Sequence, residues 1–300
     1  MNYVDKYHTN ELTPIQNIGG MYFKRDDLYM PFEDIPLSGG KVRQCICLIG
    51  KNIDYIKNEC GGNIVTASSI SSPQGIITTR VAKDFGLDST VFIGNSNENS
   101  YKKHILMNNI ENLGGKINYE SRLAYDNVIC ATIHRKMEQG EKMFHIKFGL
   151  NLEEDSESIL DSIGNQVQNL PENLDYLIVP CGSCIIFSGI IRGLQKYGRV
   201  PKHIVGIQIS GYDRTPFVEK TLGDNHLEYD FRISKDYPYS KHIKHTVGKG
   251  DDLIYLDWLY EGKAFDYMIK YMRDEIKGKK CCFWLVGNSI PVRTKIYNNP

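Results

Sequence analysis

The sequence lacks an excess of charge of either sign, a long apolar run and any internal repeat. Lys and Arg together number 36, as do Asp and Glu, so the formal net charge is zero. Without a basic excess, a general nucleic-acid-binding surface is not expected, although a local basic patch would escape this count. No apolar run reaches the roughly 20 residues that a membrane-spanning helix needs, and residues 1–14 contain no apolar signal core. We therefore expect a cytoplasmic protein without a membrane partner.

The cysteines offer neither a disulfide framework nor a clear metal site. The eight are scattered along the chain, and without a signal core they are expected as reduced thiols. Cys181 and Cys184 form a C-x-x-C spacing, which occurs in redox and metal sites. The next pair, Cys281 and Cys282, is adjacent in sequence and lacks zinc-knuckle spacing. We interpret Cys181 and Cys184 as small buried thiols beside a ligand loop, and we expect no metal.

Short apolar runs alternate with amphipathic stretches over most of the chain. Runs typical of strands occupy residues 61–67, 89–94, 115–119, 142–147, 174–180, 203–209 and 281–287. Apolar residues with helical spacing follow several of these runs, in residues 76–87, 100–114, 124–140 and 188–198. Strand–helix alternation predicts parallel strands joined by crossover helices, and hence an open α/β sheet.

The spacing of the runs fits two sheets in two domains. The first four strands lie within residues 46–147, which we predict to be a smaller inserted α/β domain. Residues 1–45 and 148–300 would then form the larger domain. Residues 211–250 are polar, aromatic-rich and irregular. So long a loop is typical of a lid or substrate wall, and a plain surface excursion is the alternative.

Four polar stretches fall at the predicted carboxyl ends of strands, or just before a helix. They are SGGK at 38–41, TASSISSPQG at 66–75, VPCGSC at 179–184 and VGNS at 286–289. In open α/β sheets, ligands bind beyond the carboxyl ends of the strands, where loops meet helix N-termini. Because these stretches are rich in Gly, Ser or Cys, their backbone N–H groups can approach a ligand closely. A ligand site built from the four loops is therefore predicted.

The same stretches, in the same order, resemble the fold-type-II pyridoxal-phosphate enzymes, which have the tryptophan-synthase-β-like fold. FKRDDLYMPFEDIPLSGGKVRQ (23–44) is similar to their lysine segment, often KREDL followed by GGNK-x-R. LYEGKAFDYM (259–268) resembles the DPVY-[ET]-GKA segment of the 1-aminocyclopropane-1-carboxylate deaminase and D-cysteine desulfhydrase branch. CCFWLVGNSIP (281–291) resembles the final strand and its FWHTGG-type turn. The resemblance implies two open, twisted, mainly parallel sheets flanked by helices, pyridoxal 5'-phosphate bound to the larger domain, and a homodimer.

Lys41 has the most specific role that the resemblance implies, a Schiff base with the cofactor aldehyde. An ordinary lysine has a pKa of about 10.4, so burial or a nearby cation must free the amine. The alternative is an exposed lysine at the start of a helix, which the local sequence alone favours. The other loops together favour the Schiff base.

The resemblance also implies roles for the remaining loops. Cofactor contacts are implied for Lys41, Gln74, Cys181, Gly182, Ser183, Cys184, Ile185, Glu261 and Asn288. Substrate contacts are implied for Ser71, Ser72, Pro73 and Gln74, and Tyr212 is assigned to the substrate wall; Ser72 is also a candidate catalytic residue. The alternative for the serine-rich stretch is a turn that caps the next helix.

Tyr260 and Glu261 match the Tyr-Glu pair of the deaminase branch. The resemblance implies that Tyr260 acts as acid, base or nucleophile near the substrate. It also implies that the carboxylate of Glu261 keeps the pyridine nitrogen protonated, which makes the ring a strong electron sink. The alternative is a plain helix N-terminus, where Glu261 in the first turn interacts favourably with the helix dipole.

Three departures from the family pattern indicate a divergent member with its own substrate. Gly40 replaces the asparagine that usually precedes the lysine, so Gln74 is the candidate for the lost amide contact to the cofactor. Cys181-Gly-Ser-Cys184 replaces a turn rich in glycine and threonine, and VGNS replaces HTGG. The SGGK and SPQ spellings are similar to phage-encoded relatives, which implies amino-acyl groups on modified DNA bases as possible substrates.

Three functional hypotheses remain open at this point. The first is a lyase or deaminase that acts on a small free amino acid through an external aldimine and a carbanion. The second is an enzyme that decarboxylates or isomerises an amino-acyl group on a nucleotide or DNA base, and it predicts a wide pocket and a local basic surface. The third is a cofactor-binding homologue without catalytic activity.

Overall fold

A computed structural model of the chain describes residues 2–94, 104–119, 126–150, 156–209, 213–224, 227–233, 236–238 and 240–297. These residues form two sheets, a short ribbon and the helices that cover them. The strands, numbered in chain order, are β1 (Ile15–Ile18), β2 (Met21–Arg25), β3 (Asn63–Ser68), β4 (Asp88–Ile93), β5 (Lys116–Tyr119), β6 (Phe144–Ile146), β7 (Tyr176–Cys181), β8 (His203–Gln208), β9 (Asp230–Ile233), β10 (Thr246–Val247), β11 (Ile254–Tyr255) and β12 (Cys281–Leu285).

The larger sheet has six strands in the order β1-β2-β12-β7-β8-β9. All neighbours in it are parallel except β1 and β2, which form an antiparallel hairpin at one edge. At its centre, Phe283 of β12 lies between Phe23 of β2 and Ile178 of β7. The smaller sheet has the order β5-β4-β3-β6 and is parallel throughout. The predicted fold class, two open and mainly parallel sheets, is confirmed.

Helices cover both sheets. In the described part of the chain they are α1 (Tyr3–Lys6), α2 (Gly40–Lys51), α3 (Ile53–Asn58), α4 (Gln74–Asp84), α5 (Ile105–Asn112), α6 (Asp126–Glu138), α7 (Ser156–Gly164), α8 (Ile185–Tyr197), α9 (Thr215–Leu222), α10 (Glu261–Tyr271), α11 (Arg273–Ile276) and α12 (Ile290–Thr294). None of these is long and apolar enough to cross a membrane. Because helices lie on both faces, every residue of β7 and of β12 is buried.

Helix α2 packs against helices that belong to both sheets. Ten of its twelve residues are buried, so it is covered on nearly all sides, as expected for a core helix. It packs against α7, which precedes β7 of the larger sheet, and against α4, which follows β3 of the smaller sheet. The first turn of α2, which carries Lys41, therefore lies where the two sheets meet.

Part of the predicted irregular region is regular, and that expectation was wrong for these residues. Within 211–250 the chain forms α9, the edge strand β9 and the short strand β10. The DFRI sequence of β9 has no buried residue, which is why it lacks the apolar signal of an inner strand. Phe231 nevertheless packs against Phe187 of α8, with ring centroids 5.8 Å apart. The segment thus extends the larger sheet.

The sequence patterns also did not predict the hairpin of β1 and β2. Its turn is Gly19-Gly20, with φ angles of +58° and +88°. Positive φ at both central residues is what a tight two-residue hairpin turn requires. The predicted domain boundaries stay a prediction; the strands of the smaller sheet fall between Asn63 and Ile146, within the predicted inserted region.

Candidate functional site

A cleft opens beyond the carboxyl ends of β7 and β12. Its empty volume is about 680 Å³ with the open mouth included. All four predicted loops contribute to its lining, through residues in 37–41, 73–77, 180–187 and 286–289. Asp257 and Tyr260, from the turn before α10, complete the described lining.

Glycines allow two of these loops to pack backbone against backbone. Gly39 has φ +95°, and a Cβ atom there would lie 2.2 Å from the carbonyl oxygen of Val286. A Cβ atom on Gly287 would lie 2.7 Å from the carbonyl oxygen of Ser38. The N–H of Gly40 donates to the carbonyl of Val286 at 2.9 Å. The absence of a Cβ atom at Gly39 and at Gly287 thus allows this close approach.

Side chains crowd Gly40, the position where the family pattern has asparagine. A Cβ atom at this position would lie 2.8 Å from Cδ1 of Ile163 and 3.0 Å from Oδ2 of Asp26. Asp26 is fully buried and accepts a hydrogen bond from Nη1 of Arg43 at 2.6 Å. An asparagine side chain has no room beside this ion pair without rearrangement.

Lys41 is partly buried and lines the cleft. Its ammonium group has no hydrogen-bond or ion-pair partner among the residues that the structure describes. Burial, with a smaller contribution from the charge of Arg293, lowers the pKa of Lys41 from 10.5 to about 8. A substantial fraction of the amine is therefore neutral, and nucleophilic, near pH 8.

Lys41 is not unique in its lowered pKa. Burial also lowers the pKa values of Lys24 and Lys263 to about 8. The ammonium of Lys24 donates to the carbonyl of Thr13 at 2.8 Å, and that of Lys263 to the carbonyl of Pro238 at 2.9 Å. Lys41 differs from both because it lines the cleft.

The carboxyl group of Glu261, at the start of α10, lies directly behind the cleft wall. It is 1% exposed, and Oε1 accepts a hydrogen bond from the N–H of Gly287 at 3.0 Å. Oε2 has no hydrogen-bond partner within the described ranges. Burial, and then the nearby charge of Asp257, raise the pKa of Glu261 well above its ordinary value. An additional N–H donor or cation would favour the ionised form.

Asp257 organises this side of the cleft. Its Oδ1 accepts from the N–H groups of Leu259 at 2.9 Å and Tyr260 at 3.2 Å. Its Oδ2 accepts from the N–H of Ser289 at 2.9 Å and from the Ser289 hydroxyl. The carboxylate thus ties the turn before α10 to the VGNS turn. Sequence reasoning missed Asp257, although it stands three residues before Tyr260, where the quoted DPVY pattern has its aspartate.

The loop between β7 and α8 is held in place by contacts with Gln208 and with Tyr260. Cys184 has φ +70°, and its Sγ lies 3.1 Å from Oε1 of Gln208, whose Nε2 donates to the carbonyl of Gly182 at 3.1 Å. A Cβ atom on Gly182 would lie 2.8 Å from the ring of Tyr260. Backbone N–H groups at the start of α8 therefore stand beside the cleft in a fixed loop, an arrangement suited to an anion.

The cysteines of this loop are buried free thiols, as predicted. Burial raises the pKa of Cys181 well above its ordinary value, so it stays a neutral thiol at neutral pH. Across the described ranges, no three His, Cys, Asp or Glu side chains are grouped as metal ligands.

The predicted substrate loop contributes less to the cleft than expected. Pro73 lines it. The Ser72 hydroxyl accepts from the N–H of Gln74 at 3.2 Å, a local turn bond one residue before the N-cap Pro73.

The side chain of Gln74 is engaged inside the protein. Nε2 donates to Oγ1 of Thr66 and to the carbonyl of Lys147, both at 2.9 Å, and Oε1 accepts from the N–H of Gly149 at 2.8 Å. Gln74 therefore links β3 to the chain after β6, and its predicted cofactor contact stays a prediction.

The predicted residues separate into three groups. Those that line the cleft are Lys41, Pro73, Cys181, Gly182, Ser183, Cys184, Tyr260 and Asn288. Those outside its lining are Ser71, Ser72, Gln74, Ile185 and Glu261. Tyr212 lies outside the described residues. Asn288 is fixed by its N–H, which donates to Oγ of Ser38 at 3.0 Å, and by its Oδ1, which accepts from the N–H of Ile290 at 2.9 Å.

Comparison with known proteins gives one relative in sequence and several in structure. No family model matches the sequence. The chain is 25% identical over 220 residues to a Salmonella phage ViI protein named O-seryl-dTMP PLP-dependent decarboxylase. The match covers 67% of this chain and 50% of that protein, so this chain spans about half the length of its relative.

Among solved structures, an ACC deaminase homologue superposes with a TM-score of 0.74 at 18% identity, covering 97% of this chain and 96% of that one. A fungal L-serine ammonia-lyase from Rhizomucor miehei gives 0.59 at 12% identity, covering 93% and 94%. Identities this low show the fold alone. That fold is the fold-type-II architecture that the sequence resemblance implied.

Proposed function

We propose that this chain, which has the fold of fold-type-II pyridoxal-phosphate enzymes, is itself a pyridoxal-phosphate-dependent enzyme that acts on an amino-acid-like substrate. The observation that carries the proposal is Lys41, a lysine without a partner in the described part, with a lowered pKa, in the cleft lining. A second observation supports it. One carboxyl oxygen of Glu261 is buried and accepts no hydrogen bond from any described group. Buried polar atoms without a hydrogen-bond partner are rare in native proteins, so this one indicates a missing donor.

The residues present fit the cofactor. Lys41 would bind the aldehyde, and the N–H groups of the loop 182–184 at the start of α8 would hold the phosphate. The unsatisfied oxygen of Glu261 would accept from the protonated pyridine nitrogen. Bound in this way, pyridoxal phosphate supplies an electron sink for the electron pair released when a bond to the substrate α-carbon breaks.

The chain's own residues would control protons and access. With a pKa of about 8, the Lys41 amine can take up and return a proton near neutral pH. The hydrogen bonds of Asp257 fix Tyr260 and Ser289 at the cleft wall. Tyr260 packs against Gly182, so its ring holds the cofactor loop and the substrate side together.

Two substrate classes remain candidates for this reaction. The structural neighbours are a deaminase homologue and a serine ammonia-lyase, which supports elimination or deamination of a free amino acid. The curated sequence relative is named a decarboxylase of O-seryl-dTMP, which supports the second hypothesis, an amino-acyl nucleotide. A homodimer and a cytoplasmic location stay proposals.

The visible absorbance spectrum tests the proposal. Purified protein is mixed with saturating pyridoxal phosphate, beside Lys41→Ala and, as a matched control, Lys51→Ala at the exposed end of the same helix. We expect the band of lysine-bound cofactor in the wild type and in Lys51→Ala, and its loss in Lys41→Ala. Absence of the band in the wild type would overturn the proposal. A band that no amine substrate alters would instead favour the non-catalytic homologue.

A further inference from the structure

Arg293, on α12, has an unused buried donor next to the cleft. Its Nε donates to Oγ of Ser289 at 2.7 Å, and Ser289 lines the cleft and is 8% exposed. Nη2 of Arg293 is buried and has no hydrogen-bond partner within the ranges described. The guanidinium is thus anchored on one side and unsatisfied on the other. Buried donors in native proteins are generally satisfied, so this one indicates a missing acceptor.

A second buried nitrogen without a described partner lies at the same junction. His104 immediately precedes α5, and its Nδ1 is buried without a described partner. Helix α5 is tied to α12, since Nδ2 of Asn109 donates to the carbonyl groups of Val292 and Lys295 at 3.0 Å each. His104 is close enough for the charge of Arg293 to lower its pKa, after the larger effect of burial.

Arg293 provides the fixed positive charge at this junction. The charge of Arg293 also acts on Lys41 and on the exposed His242. The acid nearest in the hydrogen-bond network is Asp257, reached through Ser289. Its carboxylate already accepts from four donors, so it has little capacity left for Arg293. The balance of charge favours an anion here.

We propose that Arg293 and His104 form an oxyanion subsite of the cleft, which binds a phosphate or carboxylate group carried by the substrate. The statement that a substrate carries the bound group rests on the proposed function, whereas the subsite itself rests on the geometry. It lies on α12 and before α5, and therefore on different elements from the loop 182–184 assigned to the cofactor phosphate. A guanidinium pre-oriented by Ser289 is suited to such a group because its N–H donors match the spacing of the oxygens.

The subsite gives the second substrate hypothesis a physical basis. That hypothesis requires a local basic surface despite zero net charge. Arg293 supplies a fixed positive charge beside the cleft, through its hydrogen bond to the lining residue Ser289. A free amino acid would present its carboxylate to Arg293, whereas an amino-acyl nucleotide would present a phosphate. The same donors serve either group, so experiments must separate the two sources.

Direct binding of inorganic phosphate tests the subsite without relying on catalysis. Phosphate is titrated calorimetrically into the full chain, with pyridoxal phosphate bound and in its absence. We expect Arg293→Gln to lower the affinity for phosphate roughly 10- to 100-fold in both preparations, because the variant loses a charge-assisted hydrogen bond. Arg199→Gln is the matched control, because Arg199 is a partly exposed arginine that is paired with Glu172 outside the cleft lining. Unchanged phosphate binding in Arg293→Gln would overturn the subsite.

Substrate analogues then identify the source of the oxyanion. Binding of O-seryl-dTMP, of the corresponding nucleoside without phosphate and of L-serine is followed by the change in cofactor absorbance. If the phosphate is the ligand, Arg293→Gln weakens O-seryl-dTMP alone. If the carboxylate is the ligand, it weakens all three equally. Equal affinities of variant and wild type for every analogue would contradict the inference.

Two further variants separate ligand binding from a structural role. Arg293→Lys keeps the charge but loses the planar fork, so a partial loss of affinity is expected. His104→Leu removes the second nitrogen and should weaken the same ligand. If Arg293 only positioned Ser289, its variants would alter the cofactor spectrum in the absence of any ligand. They would also change the affinity for all analogues to the same extent and leave the binding of inorganic phosphate unchanged. If the proposed function were wrong, the wild-type protein itself would lack the visible band of the bound cofactor, an outcome distinct from failure of the subsite.

Discussion

The lowered pKa of Lys41 predicts how the rate of cofactor attachment depends on pH. Only the neutral amine attacks an aldehyde. With a pKa of about 8, about 1% of Lys41 is neutral at pH 6, whereas a lysine at its ordinary value of 10.5 would be about 0.003% neutral. The second-order rate of attachment should therefore rise about tenfold per pH unit up to pH 8 and then level off. Stopped-flow absorbance of cofactor-free protein mixed with pyridoxal phosphate measures this rate.

Two comparisons make the experiment decisive. Dividing each rate by that of butylamine, after the butylamine rate has been corrected for its own neutral fraction, removes the titration of the cofactor itself. Arg293→Gln removes a cation that lowers the pKa of Lys41, so the plateau should move to higher pH in this variant. A wild-type rate that still rises tenfold per unit between pH 8 and 10 would refute the reasoning, because it would mean that Lys41 is not perturbed.

Three further predictions concern the cleft wall. Gly39→Ala should lower the free energy of unfolding in urea by about 2 kcal/mol more than Gly114→Ala, because both have φ near +90° but only Gly39 faces a backbone clash; equal effects would contradict the packing argument. Glu261→Gln should keep the cofactor band but lower turnover about 100-fold or more, since the amide oxygen can still accept from Gly287; wild-type turnover would exclude a role for the carboxylate. Gln74→Ala should cost about 2 kcal/mol of unfolding free energy with an unchanged band, whereas a lost band at unchanged stability would favour the predicted cofactor contact.

Inner strands were predictable from sequence because they are buried on both faces. The predicted runs 61–67 and 174–180 correspond to Asn63–Ser68 and Tyr176–Cys181. A parallel strand covered by helices is apolar throughout, and that signal survives without an alignment. The edge strand Asp230–Ile233 has no buried residue, so no comparable signal was present, and its pairing depends on its neighbour Val205–Gln208.

The glycine-rich loops were predictable as a set, but the roles of single side chains were not. Lys41 could be singled out by its position before a helix and behind two glycines. Gln74 has the same local sequence whether it faces a ligand or, as the structure places it, hydrogen-bonds to Thr66, Lys147 and Gly149. Those partners come from different parts of the chain. Hydrogen bonding across such distances in sequence leaves no local pattern.

Arg293 and His104 illustrate the same limit at the cleft. They are 189 positions apart in the sequence, and neither belongs to a recognisable motif. Only the packing of Ile105–Asn112 against Ile290–Thr294, with the Asn109 hydrogen bonds, brings them together. An arginine two residues after a proline in a short helix would otherwise be read as an exposed charge.

The central claim is that Lys41, among the lysines whose pKa is lowered by burial, carries the cofactor. Reducing the protein–cofactor complex with borohydride and mapping the modified peptide by mass spectrometry tests this claim directly. We predict the modification on the peptide that contains Lys41. Modification of Lys24 or Lys263 instead, whose pKa values are also lowered to about 8, or of no lysine, would contradict the account.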